Sequence, residues 1–260
     1  MRLRQNTLAR AARRRHAVGF MSGNPSIPQP LEAPWRAGLR AARANLVPGL
    51  ALQAIALALV LAYYWHPPSR AVFEQLMVLR ARTGLLFSIV ATAICGGVLP
   101  FLYMRLQPAT RAGYTWLSGL FFTVLWAYKG IEVEYWYRFL AWLVGNDAAV
   151  RTVAIKVFLD QFIYCPVWAV VVTVIAYAWQ SAGFRWGPVA ADFRAGHWYQ
   201  RHILPATVAN FGLWVPLTCL IYALPLPLQL PLFDLVLVFY TLLIAHITRR
   251  PPQDDTVAAH

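Results

Sequence analysis

Six long apolar runs constrain the fold of this chain more than any other feature. They lie at about 46–65, 85–104, 114–128, 153–179, 203–223 and 230–247, the third being short and the fourth polar at its start. A helix needs about 20 apolar residues to cross roughly 30 Å of hydrocarbon, and barrel strands are much shorter. Backbone groups cannot stay unpaired in lipid, so these runs predict helices. The expected fold class is all-α, a polytopic membrane bundle of about six transmembrane helices.

Composition and charge agree with a membrane protein. The chain has 260 residues, is 59% hydrophobic and 13% charged, and carries a net charge of +13. Nine of its 23 basic residues precede the first apolar run. With the N-terminus inside, sixteen basic residues fall in inside segments, six in outside segments, and Lys156 within a span. The positive-inside rule therefore predicts a multi-pass protein with cytoplasmic N- and C-termini.

The basic N-terminus predicts a lipid contact. The segment 1–34 is rich in Arg and has little aromatic interleaving, so anionic lipid headgroups are the expected partner and nucleic acid is not. A homo-oligomer is left open. We expect a disordered tail at 1–34, the helical bundle at 35–250 and a C-terminal tail at 251–260. Met21 is an alternative start, and an Arg-rich, acid-poor beginning is also typical of an organelle transit peptide.

Catalytic patterns are absent from the sequence. It contains no HExxH pair, tight histidine cluster, CxxC or nucleophile elbow. Asp192, His197 and His202 are metal-ligating types, but their spacing and the neighbouring Trp and Tyr favour an interfacial belt over a metal site. We therefore expect neither an enzyme nor a cofactor. The three cysteines are expected to be buried structural thiols.

The run KVFLDQFIYCPVW at 156–168 places charges inside a span. On a helix, Lys156 and Asp160 lie four residues apart on one face, where an ion pair would reduce the cost of burial. Gln161 follows directly. Two interpretations remain open: an ion pair that fixes the depth and packing of the helix, or a polar lining of an aqueous path.

Further polar groups lie near or within the other runs. Glu132 and Glu134 stand among Tyr and Trp residues that are typical of an anchored interfacial loop, although two acids at the mouth of a bundle also attract cations. Asp234 is expected in the first turn of its helix, and Asn210 is expected to hydrogen-bond between helices. The segment 66–84 predicts an amphipathic helix, either at the interface or packed on the bundle.

Prolines occur within or at the ends of several runs, and each removes a backbone donor and bends a helix. They are Pro100, Pro166, Pro205 and Pro216. Kinked helices favour a bundle with an internal cavity, but they also occur in tightly packed bundles.

Three stretches match motifs of one known family. A Gly-Pro-x-x-His-x-Trp-Tyr element is matched at Gly130, Trp136 and Tyr137, with Ile131 and Glu134 in place of its Pro and His. A Lys-x3-Asp-Gln-x4-Pro element is matched completely, at Lys156, Asp160, Gln161 and Pro166.

The third element, Trp-Pro-x2-Gln-x2-Asn-Phe-x2-Val-Pro, is matched in part. The matching residues are Pro205, Asn210, Phe211, Val215 and Pro216. Leu204 replaces the Trp, Val208 stands at the Gln position, and Asn-Phe comes one residue early. On these motifs, the chain resembles the Mpv-seventeen and peroxisomal membrane protein family over about residues 111–247.

The resemblance implies a membrane protein of four helices, for which small-solute channels and roles in mitochondrial metabolite homeostasis have been proposed. It does not account for the run at 46–65. The resemblance places relatives in mitochondrial or peroxisomal membranes, whereas the high Arg and Ala content favours a bacterial inner membrane.

Two function classes follow from the sequence. One is a small-solute channel or pore-like transporter lined by Lys156, Asp160 and Gln161, with Glu132 and Glu134 near one mouth. The other is a non-conducting membrane scaffold or assembly factor, in which the same residues are structural. A lipid-modifying enzyme is a distant third.

Overall fold

The computed structural model describes residues 33–108 and 110–247, and every regular element within them is helical. The nine helices of this part of the chain are α1 Pro34–Ala44, α2 Leu46–Trp65, α3 Pro67–Thr83, α4 Leu85–Leu106, α5 Trp116–Val144, α6 Val150–Ser181, α7 Trp186–Arg194, α8 Tyr199–Tyr222 and α9 Leu226–Ile247. The all-α prediction is confirmed. The tails 1–32 and 248–260, with the anionic-lipid contact predicted for the first, lie outside the described residues.

Four helices in the described ranges are long and apolar enough to cross a membrane. They are α2, α4, α6 and α8, of 20, 22, 32 and 24 residues. These four helices support a multi-pass membrane protein. The predicted third run is part of the longer helix α5, which carries four charged residues, and the sixth lies in α9, where the apolar stretch is the shorter Leu226–Leu242. The count of six spans stays a prediction.

Local signals account for the ends of several helices. His66 begins α3 by accepting a hydrogen bond from the Ser69 backbone N–H, and two prolines follow it, as is common in a first helical turn. Thr115 caps α5 in the same way, at 3.2 Å from the Ser118 nitrogen. Gly145 ends α5 with a φ of 113°, a conformation that other residues rarely adopt.

The long helix α5 replaces the interfacial loop expected around Glu132 and Glu134, at 128–147. That expectation is wrong because the charged residues of the segment find partners on neighbouring helices, so the backbone stays helical across the apolar and the polar halves. Its neighbour α6 runs antiparallel to it. Ser118 pairs with Gln180 at one end, and Trp136 pairs with Asp160 near the other.

Helix α9 occupies the centre of the bundle. It contacts α2, α3, α4, α5 and α8, and it is apolar on nearly all sides, as expected for a buried helix. Asp234 lies well inside this helix, not in its first turn as expected, because the helix already begins at Leu226. The main apolar core forms between α9 and the inner faces of α2, α5, α6 and α8.

The amphipathic helix predicted at 66–84 is present as α3, and it packs on the bundle. Phe73, Leu76 and Met77 contact the main core, while Arg70 and Glu74 face outward. The three cysteines are free thiols; Cys95 and Cys165 are only partly buried and Cys219 is exposed, so the expectation of buried thiols is wrong for Cys219.

Three of the prolines lie in or next to wide, π-helical turns with i→i+5 hydrogen bonds. The segment Ala93–Val98 precedes Pro100, Leu159–Ala169 contains Pro166, and Tyr199–Ile203 precedes Pro205. A proline has no N–H and crowds the carbonyl four residues earlier, so a widened turn relieves the clash. Pro216 lies inside α8 without such a turn.

Candidate functional site

The candidate site is a layer of polar side chains in the bundle interior around α5, which contacts α4, α6 and α9. Most of the residues predicted from the motif at 156–168 are in it: Lys156, Asp160 and Gln161 are 1%, 5% and 3% exposed. Glu134 is 2% exposed and belongs to the same layer. Buried polar groups in a membrane bundle need partners, so the contacts of each one decide what it does.

Glu134 is the centre of an ion-pair cluster. Its carboxylate accepts hydrogen bonds from Arg80 of α3, from Ser88 at 2.8 Å and from Arg138 at 2.6 Å. Arg80 also donates to the carbonyls of Leu226 at the start of α9 and of the residue after it. Helix α3 covers Glu134 and supplies its cation, so this carboxylate is buried in the structure, and its position near a pore mouth stays a prediction.

Glu132 belongs to a second cluster on the opposite side of α5. The Lys129 ammonium donates to it at 2.9 Å and also to the Ala169 carbonyl of α6 at 3.1 Å. The Tyr164 hydroxyl donates to the same carboxylate. Glu132 is therefore paired within the bundle, and the structure does not place it at an open mouth.

Asp160 is held by neutral donors. The Trp136 indole donates to one carboxylate oxygen at 2.6 Å, and the Gln161 amide donates to the other at 2.9 Å. The Trp136 ring stacks on Tyr164, with centroids 4.3 Å apart. Trp136 of the first motif stretch and Gln161 of the second therefore both hydrogen-bond to the Asp160 carboxylate.

Lys156 does not pair with Asp160, and the expected ion pair is wrong. The helix widens into π-helical turns directly after Phe158, so a spacing of four residues no longer stacks the two side chains. Within the described residues, the Lys156 nitrogen has no hydrogen-bond partner, and it lies 5.7 Å from the centre of the Tyr222 ring. An ammonium beside a tyrosine face is attracted by the ring quadrupole.

Asp234 carries a further buried carboxyl group, at 3% exposure. The Thr92 hydroxyl donates to one oxygen at 2.8 Å, and the other oxygen has no partner among the residues of the described ranges.

The sequence did not indicate which groups would partner the buried acids. The sequence did not predict four of these partners, because neither a hydroxyl nor an arginine of an amphipathic helix indicates a contact more than 40 positions away. They are Arg80, Ser88, Thr92 and Tyr222. An acid inside a helical run was the only available sign that a partner had to exist.

The remaining motif residues are mainly packing positions. Gly130 lets α5 approach α4, since a Cβ at this residue would lie 2.3 Å from the Ser88 carbonyl oxygen. Tyr137 packs edge-on against Tyr222 at 5.4 Å. The Pro166 carbonyl accepts from the Tyr199 hydroxyl at 3.1 Å.

The third stretch reaches the second through Phe211, whose ring lies 4.9 Å from Phe162. Asn210 is half-buried and accepts a long hydrogen bond, 3.5 Å, from the Tyr240 hydroxyl of α9, as its predicted interhelical role requires. Pro205 and Pro216 lie in α8.

The residues considered for a metal form an ion pair instead. Asp192 contacts Arg201 and His202 at 2.8 Å each, and His197 is exposed. In residues 33–108 and 110–247, no cluster of three metal-ligating side chains occurs.

A cavity of about 460 Å³ opens between the end of α5 and the start of α6. Arg151 and Thr152 line it with four apolar residues of the two helices. Thr152 is on the same face of α6 as Lys156, which lies one turn deeper. In the loop before α6, the Ala149 backbone N–H donates to Asp147 and lowers the pKa of that exposed carboxyl.

Comparisons with protein-family models, with curated proteins and with solved structures give no match to this chain.

Proposed function

We propose that this protein is an integral membrane channel or pore-like transporter for small solutes, of the type that the Mpv-seventeen resemblance implies. The polar layer of α4, α5, α6 and α9 is its interior path, held closed by the contacts described above. The cavity beside Arg151 and Thr152 is one entrance.

The observation that carries this proposal is Lys156. Its ammonium is buried and has no hydrogen-bond partner among the residues that the structure describes. It lies one turn after Thr152, which lines the entrance cavity. Asp147, in the loop before α6, attracts this ammonium electrostatically but does not hydrogen-bond to it. A charge in a bilayer interior costs about 2.5–3.5 kcal/mol. A charge that a polar or anionic solute meets on entry gives a reason for that cost, as rings of basic residues do in anion-selective pores.

The test is release of small solutes and single-channel conductance from liposomes that contain the purified protein. Lys156→Met removes the cation and Asp160→Asn removes the neighbouring anion, so the two should shift the ratio of cation to anion permeability in opposite directions. Asp192→Asn makes the same chemical change outside the bundle interior, and it should leave the ratio unchanged.

Circular dichroism and size-exclusion profiles establish that the compared proteins are equally folded. Well-folded wild-type protein that releases no solute at any voltage or pH contradicts the proposal. A shift of the ratio in the same direction by both variants contradicts the assignment of these two residues to the path.

The second candidate is a non-conducting scaffold, and the Arg80 cluster favours it. The Arg80 side chain, on α3, hydrogen-bonds to Glu134 of α5 and to two carbonyls at the start of α9. These contacts stabilise the packing of three helices, which is a structural role. If the protein is a scaffold, its liposomes should show neither solute release nor single-channel conductance. The intact protein should then be recovered in a stable complex with other membrane proteins.

A further inference from the structure

Helix α1 combines a row of arginines with a row of exposed apolar side chains. Arg36, Arg40 and Arg43 are all exposed, and their spacing of four and three residues places them on one face of the helix. Helix α1 contains no acidic residue. This face therefore carries three positive charges along two turns, without a negative charge from the helix itself.

The opposite face of α1 packs against the first half of α8. A Cβ at Gly38 would lie 2.7 Å from the Val208 Cβ and 2.8 Å from the Pro205 carbonyl oxygen, so the approach requires glycine. One turn later, the Ala42 Cβ would be 3.7 Å from a Cβ at Gly212. This packing fixes the rotation of α1 about its axis, and the row of arginines points away from the bundle.

The row of exposed apolar side chains lies between the packed face and the arginines. Trp35 is 48% exposed, and Leu39, one turn later, is 39% exposed. Leu46 follows seven residues further on, at the start of α2, and is 54% exposed. The Arg36 guanidinium lies 5.3 Å from the centre of the Trp35 ring, so the two rows are in contact at the start of the helix.

The described residues do not supply an acid to two of these arginines. Among them, neither Arg36 nor Arg43 forms an ion pair. Asp192, the acid that contacts the start of α8, is bound to Arg201 and His202. Guanidinium groups bind phosphate through paired N–H donors, so a phosphate group from outside the protein suits this face.

The position of α1 in the chain places it at a membrane surface. It ends at Ala44, and α2, which is long and apolar enough to cross a membrane, begins at Leu46. A helix that directly precedes a membrane span lies where the hydrocarbon meets the headgroups. Tryptophan is enriched at this level, and the long arginine side chains reach the phosphates from it.

The apolar row argues against the simpler explanation, a solvated row of arginines. In water, Trp35 and Leu39 would leave apolar surface exposed, whereas acyl chains would cover it. Interfacial helices of this kind present basic residues to the headgroups and Trp or Leu to the acyl chains. The two rows together match a phospholipid, because a phospholipid presents a phosphate and acyl chains side by side.

We propose that α1 binds an anionic phospholipid, with the phosphate on Arg36 and Arg43 and the acyl chains along Trp35 and Leu39. This site differs from the lipid contact predicted for the N-terminal tail, because it lies on a packed helix of fixed orientation. Anionic lipids bind better than zwitterionic lipids, whose own cation lies near the arginines. The proposal goes beyond the channel function and does not depend on it.

Native mass spectrometry of the full-length protein in detergent micelles tests the site. With added phosphatidylglycerol, it gives the dissociation constant of the first lipid bound. Each basic residue near an anionic lipid surface contributes about fivefold to affinity, so Arg36→Gln/Arg43→Gln should bind this lipid about 25-fold more weakly. Its binding of phosphatidylcholine should match that of wild type.

Two further double variants make the same change of charge elsewhere. Arg70→Gln/Arg82→Gln removes two exposed arginines of α3, and Arg14→Gln/Arg15→Gln removes two from the N-terminal tail. Both should bind phosphatidylglycerol almost as tightly as wild type. A loss of affinity in the α1 variant that is no greater than the loss in either of these overturns the proposal.

Arg36→Lys/Arg43→Lys keeps the charges and is used where the glutamine variant does not fold. Lysine lacks the planar pair of N–H donors, so phosphatidylglycerol should bind several-fold more weakly than to wild type. In that case, binding as tight as that of wild type overturns the proposal.

Soluble glycerol phosphate distinguishes a lipid site from a site for free phosphate. Because the proposed site includes the apolar row, glycerol phosphate at the same concentration as the lipid should not displace phosphatidylglycerol. Displacement would assign the arginines to a soluble phosphate and overturn the proposal. None of these measurements depends on solute release, so the lipid site and the channel are tested separately.

Discussion

At the scale of single residues, Glu134 shows how a buried acid becomes tolerable. Two guanidinium groups and a hydroxyl surround its carboxylate, and the nearer guanidinium, Arg80, is itself buried. Arg80→Met leaves Glu134 with one half-exposed cation. Removing one partner of a buried pair costs about 3–5 kcal/mol, so we expect a loss of this size in the free energy of unfolding.

The matched control for this variant is Arg70→Met on the same helix. Arg70 forms a pair with Glu74 in which both side chains are more than half exposed, and such surface pairs contribute about 0–1 kcal/mol. Denaturant unfolding in detergent micelles compares the two variants. Equal losses would mean that Arg80 contributes no more than a surface charge does.

Lys156 leads to a prediction of the opposite sign. Because its ammonium is buried and has no hydrogen-bond partner in the described part of the chain, Lys156→Met removes a buried charge that makes no direct contact with an acid and keeps the length of the side chain. We expect the variant to be as stable as wild type or more so. Asp160→Ala instead leaves the Trp136 and Gln161 donors unsatisfied, and it should cost about 1–3 kcal/mol.

A double-mutant cycle of these two changes measures the ion pair that the sequence predicted. Since Lys156 and Asp160 do not pair, the coupling energy should be below about 0.5 kcal/mol. A coupling of several kcal/mol would restore the ion pair.

At the scale of helices, the closest approach in the site is that of α5 to α4 at Gly130. Gly130→Ala places a methyl group 2.3 Å from the Ser88 carbonyl oxygen, which is backbone and cannot rotate away. We expect the helices to be forced apart, with a loss of about 1–3 kcal/mol in unfolding free energy. The shift also weakens the Ser88 contact to Glu134.

Gly212→Ala is the control for this change. Gly212 lies in the interior of α8, and a Cβ there would be 3.7 Å from the Ala42 Cβ, an ordinary van der Waals contact, so alanine should stabilise the helix by about 0.5–1 kcal/mol. The pair of variants separates the effect of close packing from that of helix propensity. Destabilisation by both alanines would remove the packing argument.

The helices themselves were largely predictable from the sequence, because long apolar runs in lipid have few alternatives to a helix. The segment around Glu132 and Trp136 was not: its charges and aromatics are typical of an interface, and only contacts with α3 and α6 keep it inside the bundle. The π-helical turns after Phe158 also lay beyond the sequence pattern, and they separate Lys156 from Asp160. Residue spacing predicts contacts within a regular helix, but it says little about which distant helix supplies a partner.

At the scale of the whole molecule, the chain directions of successive helices bear on the membrane topology. Helices α4, α5 and α6 alternate in direction, since Gly119 of α5 meets Phe101 near the end of α4, and Trp136 of α5 meets Asp160 near the start of α6. If α5 crosses the membrane despite its charges, the connection before it and the connection after it lie on opposite sides. If α5 does not cross, both lie on the same side.

Single cysteines at positions 113 and 146 distinguish these cases. Gly113 and Asn146 lie in the two connections, and both are exposed. In a background without Cys95, Cys165 and Cys219, a membrane-impermeant maleimide added to intact cells should label one of the two variants and not the other. After permeabilisation, both should be labelled, which controls for accessibility.

Labelling of both variants from the same side would place α5 on one face of the membrane and reduce the bundle to the four long apolar helices. Labelling from opposite sides would instead put the ion pairs of Glu132 and Glu134 within the membrane, because they lie near the middle of a helix of 29 residues. Paired charges at that depth are compatible with insertion only because α3 and α6 cover them. The topology of α5 therefore decides whether the polar layer is a membrane interior at all, and the proposed channel depends on it.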